Sequence, residues 1–420
     1  MIIKQKKQKN HNLEIGIILA LIGTQISRIF IEFFNLQNIE LTNIIFALSL
    51  VLVINLKNLV TLKLPKFSGY LFLIFGYNIY SLVAAIMAGE GLFTQNQGII
   101  YTLYVIFFLI CLSTNHRKID GNYLVNTMWL ISGVLTMMLL YKLTDSFSNF
   151  NTNVVYMANN SDRLTLSVIA FYNLCSFLLL KTHKKIVVFM KYLFLICSIL
   201  VMMIVSRRGL MVTYVVILLY HVFINAQFNL KIEKKTFVSI FKILGTCVVM
   251  LATTDFILPD FWVMVEKYFE ILIKGVSTYF GFFDSGIDAA AINRYNNITT
   301  VPSEYLNSDF LTIIFGNGYG FKQLDIPYLQ AFTDLGLIGG VFYLVVQLFY
   351  PIKILMIKTN DYSIKFLQYI AILTLCYNLY SGIPYNHYKF IGIILLAYAV
   401  TEKRNKNDKC RRVTYENNKN

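Results

Sequence analysis

The stretch "CSILVMMIVSRRGLMVTYVVILLYHVF", Cys197 to Phe223, is membrane-grade apolar sequence interrupted once, by Arg207 and Arg208. Adjacent guanidiniums at the centre of a span are costly in hydrocarbon. Read instead as two spans joined by a tight turn, the stretch places both arginines at a membrane face. The pattern extends in both directions. A membrane-crossing helix needs roughly 20 apolar residues. Such runs lie near 13–33, 41–56, 68–88, 98–114, 122–142, 163–180, 186–205, 210–226, 236–257, 327–349, 366–382 and 388–401. The expected fold is therefore an all-α polytopic integral membrane protein of about twelve transmembrane helices.

Composition agrees. Of 420 residues, 57% are apolar, 15% aromatic and only 14% charged, well outside the soluble globular range. A formal charge of +15 suggests nucleic acid, but the basic residues form short clusters between apolar runs, as topogenic signals do, and no nucleic-acid partner is expected. Cys111, Cys175, Cys197, Cys247, Cys376 and Cys410 show no CxxC spacing, so neither a disulfide framework nor a zinc site is indicated. The basic start "MIIKQKKQKNHN" precedes a run of transmembrane length without a small-residue cleavage site and reads as a retained first helix.

Lys and Arg concentrate in cytoplasmic loops. With the N-terminus inside, the cytoplasmic segments include "KNLVTLKLPKF", "NHRKIDG", "KTHKK", "KIEKK" and "PIKILMIKTNDYSIK", all basic, whereas the opposite set begins with "NLQNIE" and "GEGLFTQNQ", which carry neither Lys nor Arg. Both termini are thus expected in the cytoplasm. The chain divides into residues 1–257 with nine helices, an external loop at 258–326, three more helices at 327–401 and a basic cytoplasmic tail at 402–420. Structureless loops beyond about 15 residues are uncommon unless functional. In "DFWVMVEKYFEILIKGVSTYFGFF", Glu266, Glu270 and Lys274 fall four apart, on a stripe opposite Trp262, Phe269, Leu272 and Val276. This predicts an amphipathic helix on the outer membrane surface. Reading it as an extra span would break the charge alternation.

Arg163, Arg207, Arg208 and Arg294 fall on the external side, against the rule. "NNSDRLTL" and "VSRRGL" place Arg163 and the Arg207–Arg208 pair at the starts of inward-running helices. A helix N-terminus beside a guanidinium suits phosphate oxygens. The start of the tenth helix, "LDIPYLQ", brings Asp325 and Tyr328 to the same face. More ordinary readings stand beside these: Arg207 and Arg208 snorkelling to headgroups, Arg163 paired with Asp162 or Asp145, Arg294 solvated, Asp325 capping a helix or bridging to an arginine. His387 in "SGIPYNHYKF" reads as a polar interface residue, and "GNGYG" at 316–320 as a turn. No Asp-x-Asp pair occurs on any loop, so a metal-bound nucleotide-sugar site is not expected, and no cofactor is implied.

Four segments together resemble the bacterial polysaccharide polymerases of the Wzy type, related to the O-antigen ligases and to the membrane glycosyltransferase class GT-C. "SRRG" at 206–209 is similar to their Ser/Arg/Gly turn, and "SDRLTL" to their arginine-bearing helix start. "INRYNNITTVPSEYLNSDFLTIIFGNGYG" resembles their arginine loop. "DIPYLQAFTDLGLIGG" resembles a ligase-type motif in which Gly336 and Gly339 keep their spacing while Asp325 and Ile326 replace His and its polar partner.

The resemblance implies a multi-pass protein of the bacterial plasma membrane. It would move a growing glycan from undecaprenyl pyrophosphate onto an incoming lipid-linked repeat unit, alongside a flippase and a chain-length regulator. Arg163, Arg207 and Arg208 would bind the pyrophosphate, Arg294 would close from the loop and Asp325 would act as base, with Tyr328 and His387 as possible glycan contacts. A ligase-like transferase and a lipid-linked oligosaccharide flippase are the alternatives.

Overall fold

A computed structural model describes residues 11–34, 41–61, 68–87, 97–144, 162–204, 208–225, 261–283, 288–321 and 323–417. Among them the chain is helical and has no strand. The helices are α1 (Asn12–Phe34), α2 (Leu41–Val53), α3 (Leu56–Val60), α4 (Gly69–Met87), α5 (Gln97–Ser113), α6 (Gly121–Thr144), α7 (Asp162–Leu179), α8 (Lys185–Ile204) and α9 (Arg208–Asn225). They continue with α10 (Phe261–Tyr279), α11 (Ala289–Leu306), α12 (Phe310–Phe315), α13 (Pro327–Leu344), α14 (Tyr350–Leu355), α15 (Tyr362–Tyr380) and α16 (His387–Asn417), and a π-helical turn, Val345–Phe349, joins α13 to α14. Five segments are long and apolar enough to cross a membrane: Asn12–Ile31, Gly69–Met87, Gly121–Tyr141, Lys185–Met202 and Pro327–Leu355. Shorter apolar helices lie at Leu41–Val53, Gly98–Ser113, Ser167–Leu179 and Gly209–Phe223. The run near 236–257 falls outside the described residues.

α15 and α16 form the middle of the bundle. α15 packs on α16, α9, α6 and α7, and α16 also meets α5 and α4. Interior position explains their mixed composition, because a helix shielded from lipid can carry polar side chains that find partners inside the protein. Gln368 of α15 donates to the carbonyls of Ile354 (3.2 Å) and Ile357 (3.0 Å). Asn378 accepts from Tyr343 at 2.7 Å and donates to Gln347 at 3.3 Å.

The π-helical turn has a local cause. Pro351 lacks the N–H that would bond the Gln347 carbonyl one turn back. The Tyr328 hydroxyl supplies that donor at 3.1 Å, and Tyr70 donates to the Val346 carbonyl at 2.5 Å.

Contacts gather the connections into two sets at opposite ends of the bundle. At one end, Arg117 lies 3.6 Å from buried Glu14, Lys118 pairs with Asp361 at 2.6 Å, Tyr398 donates to the Arg117 carbonyl and Lys403 reaches Thr359. At the other end, Tyr279 donates to the Leu379 carbonyl at 3.0 Å, and Thr213 lies 3.2 Å from the Tyr380 hydroxyl. α10, α11 and α12 lie at this second end, which is called the loop end below.

α10 begins at Phe261 and covers the predicted amphipathic segment. Glu266 and Glu270 are exposed, and beside them Phe269 (55%), Ile273 (58%) and Val276 (41%) form an exposed apolar stripe. Gly275 and Thr278 face the protein.

Candidate functional site at the loop end

The loop end is built on a break in α13. Gly336 has φ +68, and a Cβ there would stand 2.2 Å from the Ile314 carbonyl oxygen. Glycine alone allows that backbone and that approach. The carbonyls of Thr333 and Asp334, just before the break, accept from the backbone N–H groups of Asn317 (2.9 Å) and Gly318 (3.0 Å). The "GNGYG" segment is therefore a turn, as expected, and it is laid across the "LGLIGG" segment of α13. Tyr80 donates to the Leu335 carbonyl from α4 at 3.1 Å.

Asp334 locks this crossing. Its carboxylate is fully buried and accepts from the Gly320 N–H (3.2 Å), Gln330 (3.1 Å) and the Tyr385 hydroxyl (3.0 Å). Tyr385 belongs to the hairpin between α15 and α16 and stacks on Tyr319 at 3.8 Å. One carboxylate thus ties the loop, α13 and the last hairpin together.

Against this frame α11 and residues 323–325 line a half-open polar cavity of about 300 Å³, formed by Asn293, Arg294, Asn296, Asn297, Gln323, Leu324 and Asp325. α11 starts at an N-cap, Asp288, whose side chain accepts from the Ala291 N–H at 2.9 Å. It is fastened to the cavity's far wall by Asn297, which donates to the Leu324 carbonyl at 3.1 Å. Asp325 sits at φ +56, a strained conformation for a residue with a side chain. Its carboxylate lies 3.9 Å from the Arg294 guanidinium and 3.4 Å from the Gln323 amide. The N-cap position of α13 is Ile326, followed by Pro327, so Asp325 bridges to an arginine and does not cap the helix. Burial raises the phenol of nearby Tyr279, and Arg294 opposes that shift.

The same end of the bundle holds a buried lysine outside the expected site residues. Lys389, in the first turn of α16, is fully buried and donates to the Ser381 carbonyl at 2.9 Å. A lysine two residues into an apolar helix at an expected external end breaks the same charge rule as the four arginines, and that was the available signal.

The other expected residues are distributed as follows. Arg163 is the second residue of α7 and Arg208 the first of α9, while their side chains and all of Arg207 lie outside the described residues. Gly209, next to Arg208, packs so closely on Tyr380 that a Cβ would meet its ring at 2.3 Å, which sets the start of α9 against the α15–α16 hairpin. Tyr328 points into the bundle toward Gln347 and does not line the cavity. His387 is 3% exposed, its ring enclosed by Phe46, Tyr101 and Tyr104 at centroid distances of 4.8, 4.6 and 5.9 Å. It packs as an aromatic and does not stand at an open surface. Among the described residues no three His, Cys, Asp or Glu side chains converge as a metal site.

Comparison of the chain with protein-family models and with curated proteins finds no match.

Proposed function

We propose that the chain is a membrane glycosyltransferase that joins lipid-pyrophosphate-linked oligosaccharide repeat units into a polysaccharide on the outer face of the bacterial plasma membrane. The observation that carries this reading is the polar cavity at the loop end, where Arg294 and Asp325 face each other at 3.9 Å. Both reacting partners of such a transfer are amphiphiles whose lipid stays in the bilayer while the sugar stands above it. A site at a helix-bundle end, beside an amphipathic helix, suits that geometry.

In this reading the acceptor hydroxyl oxygen attacks the anomeric carbon of the donor glycan. The bond between that carbon and the phosphate oxygen breaks, and its electron pair leaves with the diphosphate. The hydroxyl proton passes to the Asp325 carboxylate. Arginines aimed at the leaving group stabilise its developing charge without reorganising during the step. Arg294 does this from the loop, and Arg163, Arg207 and Arg208 do so from the starts of α7 and α9. The loop end is then external, the Glu14–Arg117 end cytoplasmic, and the helix count about twelve with the segment near 236–257 included.

A transporter reading draws on the buried polar chain of Tyr343, Asn378 and Gln347 in the bundle. Those groups bond one another and the π-helical turn, as structural polar residues do. Arg208→Ala in a producing strain separates the two readings. The polymerase reading predicts loss of elongation, with single lipid-linked units accumulating at the outer face. Units retained at the cytoplasmic face would instead support transport.

A further inference from the structure

The short helix α12 is held on one side and bare on the other. Its N-cap, Asp309, accepts from the Thr312 hydroxyl at 2.7 Å and from the Thr312 N–H at 3.1 Å. The Tyr305 hydroxyl donates to the Ile313 carbonyl, and the Ile314 carbonyl lies against the Gly336 backbone of α13. At 3.6 residues per turn, Phe310, Ile314, Leu311 and Phe315 fall on one arc of about 140°. On that arc Phe310 is 73% exposed, Leu311 65% and Phe315 55%. Leu306, at the end of α11, and Phe321, beyond the glycine-rich turn, are exposed as well. A contiguous apolar surface of this kind marks a place of contact.

The adjoining membrane span says what makes the contact. The first half of α13, Pro327 to Gly336, has no exposed residue. Beyond the break, the exposed large apolar side chains are Leu337, Ile338, Val341, Phe349, Ile352 and Met356, a stripe that faces lipid in a segment long and apolar enough to cross a membrane. Leu337 to Met356 is nineteen residues, about 29 Å of helix. That length matches a hydrocarbon core of about 30 Å. The stripe therefore begins at the edge of the hydrocarbon, and it begins where Ile314 of α12 crosses Gly336.

We propose that α12, with Leu306 and Phe321 beside it, is seated in the lipid leaflet at the loop end, as a second membrane contact separate from α10. The bound surface is lipid, reached by apolar insertion. Between residues 297 and 321 the charged residues are Glu304 and Asp309, with neither Lys nor Arg, so attraction to anionic headgroups does not hold this segment. The two contacts flank α11. Phe280 and Phe282 are exposed just after α10, and Leu306 and Phe310 are exposed at the far end of α11. Between them α11 exposes Asn293, Asn296, Thr300 and Glu304. A mostly polar helix is thus slung between two lipid-seated anchors, and the cavity it lines opens at headgroup level, where the polar part of a lipid-borne ligand resides. The contact with lipid is independent of the reaction that the cavity serves.

The test is tryptophan fluorescence of the full chain in phosphatidylcholine nanodiscs, with and without bromine near the glycerol end of the acyl chains. The chain's own tryptophans, Trp129 and Trp262, are replaced by phenylalanine, or their signal is subtracted if that background does not fold. Phe310→Trp, Leu311→Trp and Phe315→Trp alter exposed side chains and leave the held side of α12 intact. Each should show blue-shifted emission and lose about twofold or more of its intensity to brominated lipid, whereas Asn296→Trp, exposed at the cavity, should emit as in water and be quenched much less. Water-like emission at the three α12 positions, quenched no more than Asn296→Trp, overturns the lipid seat. Blue-shifted emission without quenching by brominated lipid also overturns it, in favour of cover by protein such as a second copy of the chain. Quenching that arises only when phosphatidylglycerol is added would assign the contact to headgroup charge, and would overturn apolar insertion.

Discussion

Gly336 shows how one residue positions the site. Its positive φ breaks α13 where the Gly316 turn crosses, and both backbones meet with no room for a side chain. Gly336→Ala should therefore cost about 2 kcal/mol or more, from left-handed strain and overlap with the Ile314 carbonyl. Thermal unfolding in detergent reads this, and an unchanged midpoint would refute the crossing. At this scale the sequence is partly legible. Arg294 and Asp325 stand out because charges at an external membrane edge need a reason, and the structure brings the two to one cavity. Asp334 does not stand out, because it lies within a run read as an apolar helix and its partners Tyr385 and Gly320 come from other elements; Lys389 breaks the charge rule, but its partner Ser381 lies across the hairpin. Tyr328 and His387 look available in sequence, yet the missing Pro351 donor and an aromatic enclosure account for them.

Among the elements, hydrophobic runs of about 20 residues locate the helices because the bilayer thickness sets their length. Their arrangement is less legible. α15 and α16 resemble weak spans by composition, and only packing shows that they are the shielded centre of the bundle. α10 is the reverse case: of the stripe expected from sequence Phe269 and Val276 are exposed and Leu272 is partly buried, and Ile273 is exposed beside them, next to Glu270. An amphipathic helix in this state rests at the lipid–water interface. A fluorophore on Val276→Cys in nanodiscs should be quenched by headgroup-level nitroxide lipids, and one on Glu270→Cys should be quenched much less. Equal quenching at both positions would remove α10 from the interface.

On the scale of the whole molecule, the two ends are built differently. One end carries the ion pairs Lys118–Asp361 at 2.6 Å and Arg117–Glu14 at 3.6 Å, and the other carries the polar cavity lined by Arg294 and Asp325. Under the proposed function the cavity end is the outer one, where the lipid-borne substrates would meet Arg294 and Asp325. The most direct test of this account is the glycan profile of a strain lacking the chain, resolved by size and by attachment to lipid. Without the proposed polymerase the ladder stops at one lipid-linked repeat unit on the outer face, and the full chain restores it. A ladder of normal length would contradict the account, and so would intact polymer that accumulates unattached to its final acceptor.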